Sequence, residues 1–191
     1  MIAGAILAAG EGRRFGGAKQ VAELNGRPLL EHVIGAMTAA PTVGSLVVVL
    51  GAHAEEIRSR VDFAGAEPIE CPEWREGIAA SIRCAIDALP GADPLVIALG
   101  DQPGITQEAI DAVVGATLRD PAVPAVRATY DGRPGHPVAV RPSLFDELRG
   151  LQGDDGARDV LSRAGALEVD CTGLATGADV DTPAQLEELR R

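Results

Sequence analysis

The sequence contains a single lysine. Of its 17 basic residues 16 are arginine, and the one ammonium is Lys19. Other shortages set wider bounds. No apolar run approaches the roughly 18 residues of a membrane span, and no basic segment precedes the first apolar stretch as it would in a secretory signal. Cysteine is sparse: Cys71, Cys84 and Cys171 are odd in number, scattered and without metal-ligand spacing. They predict buried thiols in a reducing cytoplasm rather than a disulfide frame. Positive charge is short overall, and a net charge of −11 argues against a nucleic-acid or anionic-membrane partner. Any bound anion must be held by a local cluster working against the global field. Linkers, low-complexity tracts and repeats are also missing, so the 191 residues read as one domain, 1–191.

What is present alternates. Apolar runs at residues 2–8, 45–50 and 94–100 read as buried strands, with a shorter one at 67–70. Helical patterns follow at about 28–40, 54–61, from 78, and at 106–119. The stretch VPAVRATYDGRPGHPVAVR reads as two strands around a Gly/Pro turn. Helices near 142–148 and 157–163, a strand ALEVDC and a final helix from Thr182 complete the chain. Continuous apolar strands separated by helices predict an α/β fold, a mainly parallel sheet covered on both faces in three α/β/α layers. Ligands in such sheets bind beyond the carboxyl ends of the strands. That rim collects the loop from Gly10 to Lys19, Asp101 and the residues near Asp181.

The first loop, LAAGEGRRFGGAK, carries four glycines, Arg13, Arg14 and Lys19. Glycines allow tight turns, and successive free N–H groups form an anion site. Three phosphate sites compete. A Walker loop needs Ser or Thr after its lysine, and Gln20 stands there. A dinucleotide loop needs G-x-G-x-x-G and an acid after the second strand; the glycines here are Gly10, Gly12 and Gly16, and that strand ends Gly51-Ala52-His53. The third is a nucleoside triphosphate loop of the nucleotidyltransferase kind; a merely flexible Gly-rich turn would waste three cations.

The loop resembles the L-A-A-G-x-G-x-R-x-G…K signature of nucleotidyltransferases with the glycosyltransferase-A-like fold. GRPLLEHVI follows it as in that superfamily. PEWREGIAASIRCAI, ALGDQPGI, GHPVAV, GDDGAR and DVDTPAQLEEL together resemble the molybdenum cofactor cytidylyltransferase branch, along nearly the whole chain. The resemblance implies transfer of CMP from CTP to the terminal phosphate of molybdopterin, with release of pyrophosphate, and a molybdoenzyme or its chaperone as recipient. Close alternatives are a guanylyltransferase of the same pathway and a cytidylyl- or uridylyltransferase acting on a sugar or alcohol phosphate. Outside the class stand an NAD(P)-binding oxidoreductase and a catalytically silent nucleotide-binding module. Related guanylyltransferases commonly open Leu-Ala-Gly-Gly, whereas this loop opens Leu7-Ala8-Ala9-Gly10, which favours a pyrimidine nucleotide.

Nucleotidyl transfer to a phosphate needs positioning and charge stabilisation more than a base. Lys19 is expected on the α-phosphate. Arg14 and the loop N–H groups are expected on the β- and γ-phosphates, and Leu7, Ala8, Ala9, Gly10 and Gly12 are expected to line the nucleotide. Mg²⁺ needs one or two carboxylates. Asp101 is the first, against a competing reading as a cap of the DQPG turn. Asp181 is the second, with Asp179 in reserve; either can instead cap the helix at Thr182-Pro183. Gly77 and Ser81 open a helix near the nucleotide, though Ser81 also reads as an ordinary helix hydroxyl. Trp74 either shelters the site or packs in the core. His136, placed in the turn between strands, and Arg158 are assigned to the acceptor, with Asp155 capping the helix from Gly156.

Overall fold

The computed structural model describes residues 1–191. Its elements run β1 (Ala3–Leu7), β2 (Glu23–Leu24), β3 (Arg27–Pro28), α1 (Leu29–Ala39), β4 (Ser45–Leu50), α2 (Ala54–Arg60), β5 (Glu67–Glu70), α3 (Ile78–Ala88), β6 (Leu95–Leu99), α4 (Gln107–Arg119), β7 (Ala125–Tyr130), β8 (Arg133–Val140), α5 (Phe145–Arg149), α6 (Arg158–Arg163), β9 (Leu167–Asp170) and α7 (Pro183–Leu189). Seven strands form one sheet in the order β5-β4-β1-β6-β8-β7-β9. β5, β4, β1 and β6 are parallel neighbours, as are β7 and β9. β8 enters antiparallel between β6 and β7.

Strand alternation divides the core into two layers. Ile6, Val48, Leu50, Val96 and Ala98 face one side with Leu30, Ile34, Met37, Ile57, Ile110 and Val114. Their neighbours Ala5, Leu7, Val47, Val49, Leu95 and Ile97 face the other with Ala80, Ile82, Ile86, Leu148 and Leu161. Strands apolar on both faces are what a sheet covered by helices on both sides requires. No helix is long and apolar enough to cross a membrane.

Three local features depart from the sequence reading. The hairpin β2–β3 is additional; Asn25 and Gly26 take φ of 53° and 78°, the two-residue turn that an Asn-Gly pair favours. The β7–β8 turn is Asp131-Gly132, at φ of 50° and 72°, so His136 lies within strand β8 rather than in the turn. α6 begins at Arg158 and has no side-chain cap, so Asp155 does not cap it. The cysteines are all free thiols, with Cys71 and Cys171 buried and Cys84 partly exposed.

Candidate active site

β1 pairs with both β4 and β6 in parallel, Leu7 opposite Val49 and Leu99. Their following loops therefore leave the same sheet edge. The loops after β1 and β6, with the entry to α3, enclose a cavity of about 780 Å³. Leu7, Ala8, Ala9, Gly10, Gly12, Arg14 and Lys19 line it from the first loop, Gly77 and Ser81 from α3, and Asp101 and Asp181 from its end.

The first loop is locked from within. The Gly12 carbonyl accepts from the N–H groups of Phe15 and Gly16, both at 2.9 Å. Gly12 sits at φ +67°, and a Cβ there would lie 2.1 Å from the Gly17 carbonyl oxygen, so only glycine fits this turn. The buried Gln20 amide donates to the carbonyls of Ala8 (2.8 Å) and Gly10 (3.1 Å). The residue that excludes a Walker loop thus staples this one, a role its bare identity did not disclose.

A short 3₁₀ turn, Lys19–Val21, turns the Lys19 side chain inward, where it is 11% exposed. Its ammonium donates to Asp101 Oδ2 at 2.6 Å and to Asp181 Oδ1 at 2.8 Å. Burial alone would lower the Lys19 pKa; the two carboxylates outweigh it and raise it. Asp181 is held below the usual carboxylate range, chiefly by the Lys19 hydrogen bond and further by Arg14. The Arg14 guanidinium reaches Asp181 Oδ2 at 2.8 Å.

Neither acid caps a helix. α7 is capped by Thr182, whose hydroxyl accepts from Gln185 N while the Gln185 side chain accepts from the Thr182 N–H. Asp181 contributes only its N–H, to the same Gln185 oxygen, and its carboxylate is free to face Lys19. Asp101 Oδ1 is buried and has no hydrogen-bond partner. Such an orphaned acceptor is costly and fits a hard divalent cation, which takes oxygen ligands and few of them from protein. Asp179 instead accepts from the Gln102 amide at 2.7 Å. Burial and the neighbouring Asp101 and Asp181 push its pKa up despite that bond.

The opposite wall is the entry to α3. Gly77 adopts φ +99°, ψ −170°, and a Cβ on it would lie 2.4 Å from the Gly153 carbonyl and 2.5 Å from Asp154 Oδ1. The N–H groups of Gly77, Ala79 and Ala80 donate to Trp74 O, Gly153 O and Gly77 O, each at 3.2 Å, so most of the first amides of this helix start are already taken. Ser81 is buried. Trp74 lines the cavity, with the Arg75 guanidinium 4.4 Å over its ring. Arg75 and Asp154 also line the cavity and were missed; the Gly-Asp-Asp-Gly turn was the available signal for Asp154.

His136 and Arg158 are not among the cavity residues. The His136 imidazole is partly buried in β8, and desolvation pushes it down to about 4, only weakly countered by Asp101. Arg158 is exposed at the start of α6. The acceptor assignment of both rested on motif membership, which does not fix where a side chain lies.

Residues 4–169 match the MobA-like NTP transferase domain family. A nicotine blue oxidoreductase of Paenarthrobacter nicotinovorans is 29% identical over 98% of this chain and 96% of its own length. The chain spans less than half of the bifunctional enzymes it also matches. The crystal structure of Rv0371c from Mycobacterium tuberculosis H37Rv superimposes with a TM-score of 0.86 at 27% identity, covering 98% of this chain and 96% of that one. A further Rv0371c structure is a complex with manganese, at 25% identity and a TM-score of 0.84 over 98% of this chain and 97% of that one. Molybdopterin-guanine dinucleotide biosynthesis protein A from Archaeoglobus fulgidus shares the fold, with a TM-score of 0.73 at 23% identity over 99% of this chain and 97% of that one. With a locked glycine loop, a buried lysine and two carboxylates at the carboxyl edge of its sheet, the chain belongs to the MobA-like NTP transferases, a family of nucleotidyltransferases.

Proposed function

We propose that the protein transfers CMP from CTP to the terminal phosphate of a molybdopterin-type acceptor. The observation that carries this reading is Lys19, whose ammonium is shared between Asp101 and Asp181 at the end of the glycine loop. The acceptor phosphate oxygen forms a bond to the α-phosphorus, the bond from that phosphorus to the bridging oxygen breaks, and pyrophosphate leaves. Lys19 neutralises the charge that builds on the α-phosphoryl oxygens, and the loop amides and Arg14 hold the remaining phosphates. Asp101 and Asp181 would hold Mg²⁺ or Mn²⁺, which supplies further charge neutralisation when bound; the manganese complex of Rv0371c supports a divalent ion. His136 and Arg158 stay with the acceptor only if the acceptor extends past the cavity.

Pyrophosphate release with each of four NTPs, against molybdopterin, sugar phosphates and alcohol phosphates, tests this. CTP with molybdopterin is expected to lead. A lead by GTP moves the protein to guanylyl transfer, and a lead by a sugar or alcohol phosphate replaces the acceptor.

The relative named as an oxidoreductase over nearly the full length of this chain favours one second reading, hydride transfer to a small organic molecule. Oxidation of NADH or NADPH with a quinone-like acceptor, and no pyrophosphate release with any NTP, would establish it in place of transfer.

A further inference from the structure

Thirteen positions apart in sequence, Cys71 and Cys84 meet behind the cavity wall. Cys71 directly follows β5, its N–H donating to the Leu50 carbonyl at 2.9 Å and its carbonyl accepting from Trp74 N at 3.2 Å. Cys84 lies on α3. Glu73 sits in the turn between them, its carbonyl accepting from Glu76 N at 2.8 Å. The Cys71 and Cys84 Sγ atoms and a Glu73 carboxylate oxygen all lie within 4.8 Å of one another. The sequence reading of scattered cysteines is therefore true along the chain and not in space.

The geometry points to a soft-metal site at Cys71, Glu73 and Cys84, for one zinc-class ion bound by two thiolates and a carboxylate. Zn–S and Zn–O bonds of about 2.3 and 2.1 Å place tetrahedral donors roughly 3.5–3.8 Å apart, so side-chain shifts of about an ångström close the cluster. The donor set separates this site from the all-oxygen pair Asp101 and Asp181, since thiolates select soft ions over Mg²⁺. Glu73 is exposed and gives an ion a way in, while Cys71 is fully buried. Burial first, and then Cys71, Glu73 and Asp87, push the Cys84 thiol up to about 12. A cation among these groups reverses that balance and releases the thiol protons. The site would tie the two ends of the segment that carries Trp74, Gly77 and Ser81, and so fix one wall of the cavity.

The test uses the full chain, reduced and stripped of metal, in excess Mg²⁺, with Co²⁺ and then Zn²⁺ as probes. One Co²⁺ per chain is expected, with sulfur-to-cobalt charge-transfer absorption, displaced by one Zn²⁺. The emission of Trp74, the only tryptophan, should change at the same stoichiometry. Cys84→Ser should remove the absorption, Glu73→Gln should weaken zinc by about tenfold or more, and Cys171→Ala should change neither. Cys71→Ser should match Cys84→Ser; should that buried variant not fold, the partly exposed Cys84 position decides. The proposal is overturned if the absorption is absent from the unaltered chain or survives Cys84→Ser. It is equally overturned if the thiols close to a disulfide and the reduced chain takes up no ion.

Discussion

Lys19 Nζ lies between Asp101 Oδ2 and Asp181 Oδ1, at 2.6 and 2.8 Å. An ammonium and a divalent cation thus compete for the same two carboxylates. A triphosphate offers Lys19 another partner, so nucleotide and metal should bind together more tightly than either binds alone. Mn²⁺ titrations followed by electron paramagnetic resonance should show weak binding to the protein by itself. They should show binding at least about tenfold tighter, or 1.4 kcal/mol, with a non-hydrolysable CTP analogue. Lys19→Ala should strengthen Mn²⁺ binding without nucleotide. Equal Mn²⁺ affinity in Lys19→Ala and the unaltered protein would show that the ion pair does not gate the metal.

On the proposed function, the same residues are expected to set turnover. Lys19→Ala should lower kcat by about a hundredfold or more, the scale of losing one preorganised stabilising group. Lys19→Arg should also be impaired, because a planar fork does not replace a compact charge in a site this enclosed. Asp101→Ala should abolish metal-dependent turnover, and Asp181→Ala should follow. Asp179→Ala should do less, since its carboxylate is engaged by Gln102. Circular dichroism on each variant separates lost chemistry from lost fold.

Gly77 is where backbone and cavity constrain each other. At φ +99° with Gly153 O 2.4 Å from its Cβ position, Gly77→Ala must move the loop that carries Asp154. The strain should cost about 1–3 kcal/mol, or roughly 3–10 °C in Tm for a chain of this size. CTP affinity should fall as well. An unchanged Tm would mean that this loop yields freely.

Much of this site was legible beforehand because its chemistry is local. A glycine loop, a unique lysine and an aspartate just past a buried strand are each written in a few adjacent letters, and parallel strands deliver them to one edge. The preference for Asp181 over Asp179 has its physical basis only in three dimensions, where Thr182 and Gln185 satisfy the start of α7, the Asp181 carboxylate meets Lys19 and Arg14, and the Asp179 carboxylate meets Gln102. His136 was misplaced because its Gly/Pro neighbours outweighed the stronger turn signal of Asp131-Gly132. The meeting of Cys71 with Cys84 depends on how α3 packs against the sheet, which no spacing rule contains.

His136 predicts a pH dependence of stability. Its imidazole is near 4 when folded, against an ordinary 6.5. As pH falls below 6.5 the unfolded chain takes up the proton first, so stability drops until about pH 4 and then levels for this group. The loss should be on the order of 2–3 kcal/mol. Asp179 acts in the opposite direction: its raised pKa makes protonation favour the folded chain as pH falls through that value. The difference between the unaltered protein and His136→Asn therefore isolates the histidine. Urea unfolding from pH 7 to 4 should give a flatter profile for His136→Asn. Parallel profiles would mean that His136 is solvated.

The choice of base is the remaining question, and Ala9 is its most testable residue. Ala9 is 5% exposed and belongs to the buried layer that contains Ala80 and Ile82. Its carbonyl accepts from Ala52 N at 3.2 Å. Ala9 shares this buried layer with residues of α3, so a glycine there is expected to loosen the wall of the cavity that it lines. One methyl discriminates by only about 1–3 kcal/mol, so Gly77 and Ser81 on the facing wall must contribute. With molybdopterin as acceptor, kcat/KM for CTP should exceed that for GTP by at least about tenfold, and Ala9→Gly should narrow the ratio by admitting the larger purine. A narrowed ratio produced by weaker CTP use alone would show a damaged wall instead of a widened one. GTP must gain in absolute terms for this account of Ala9 to hold.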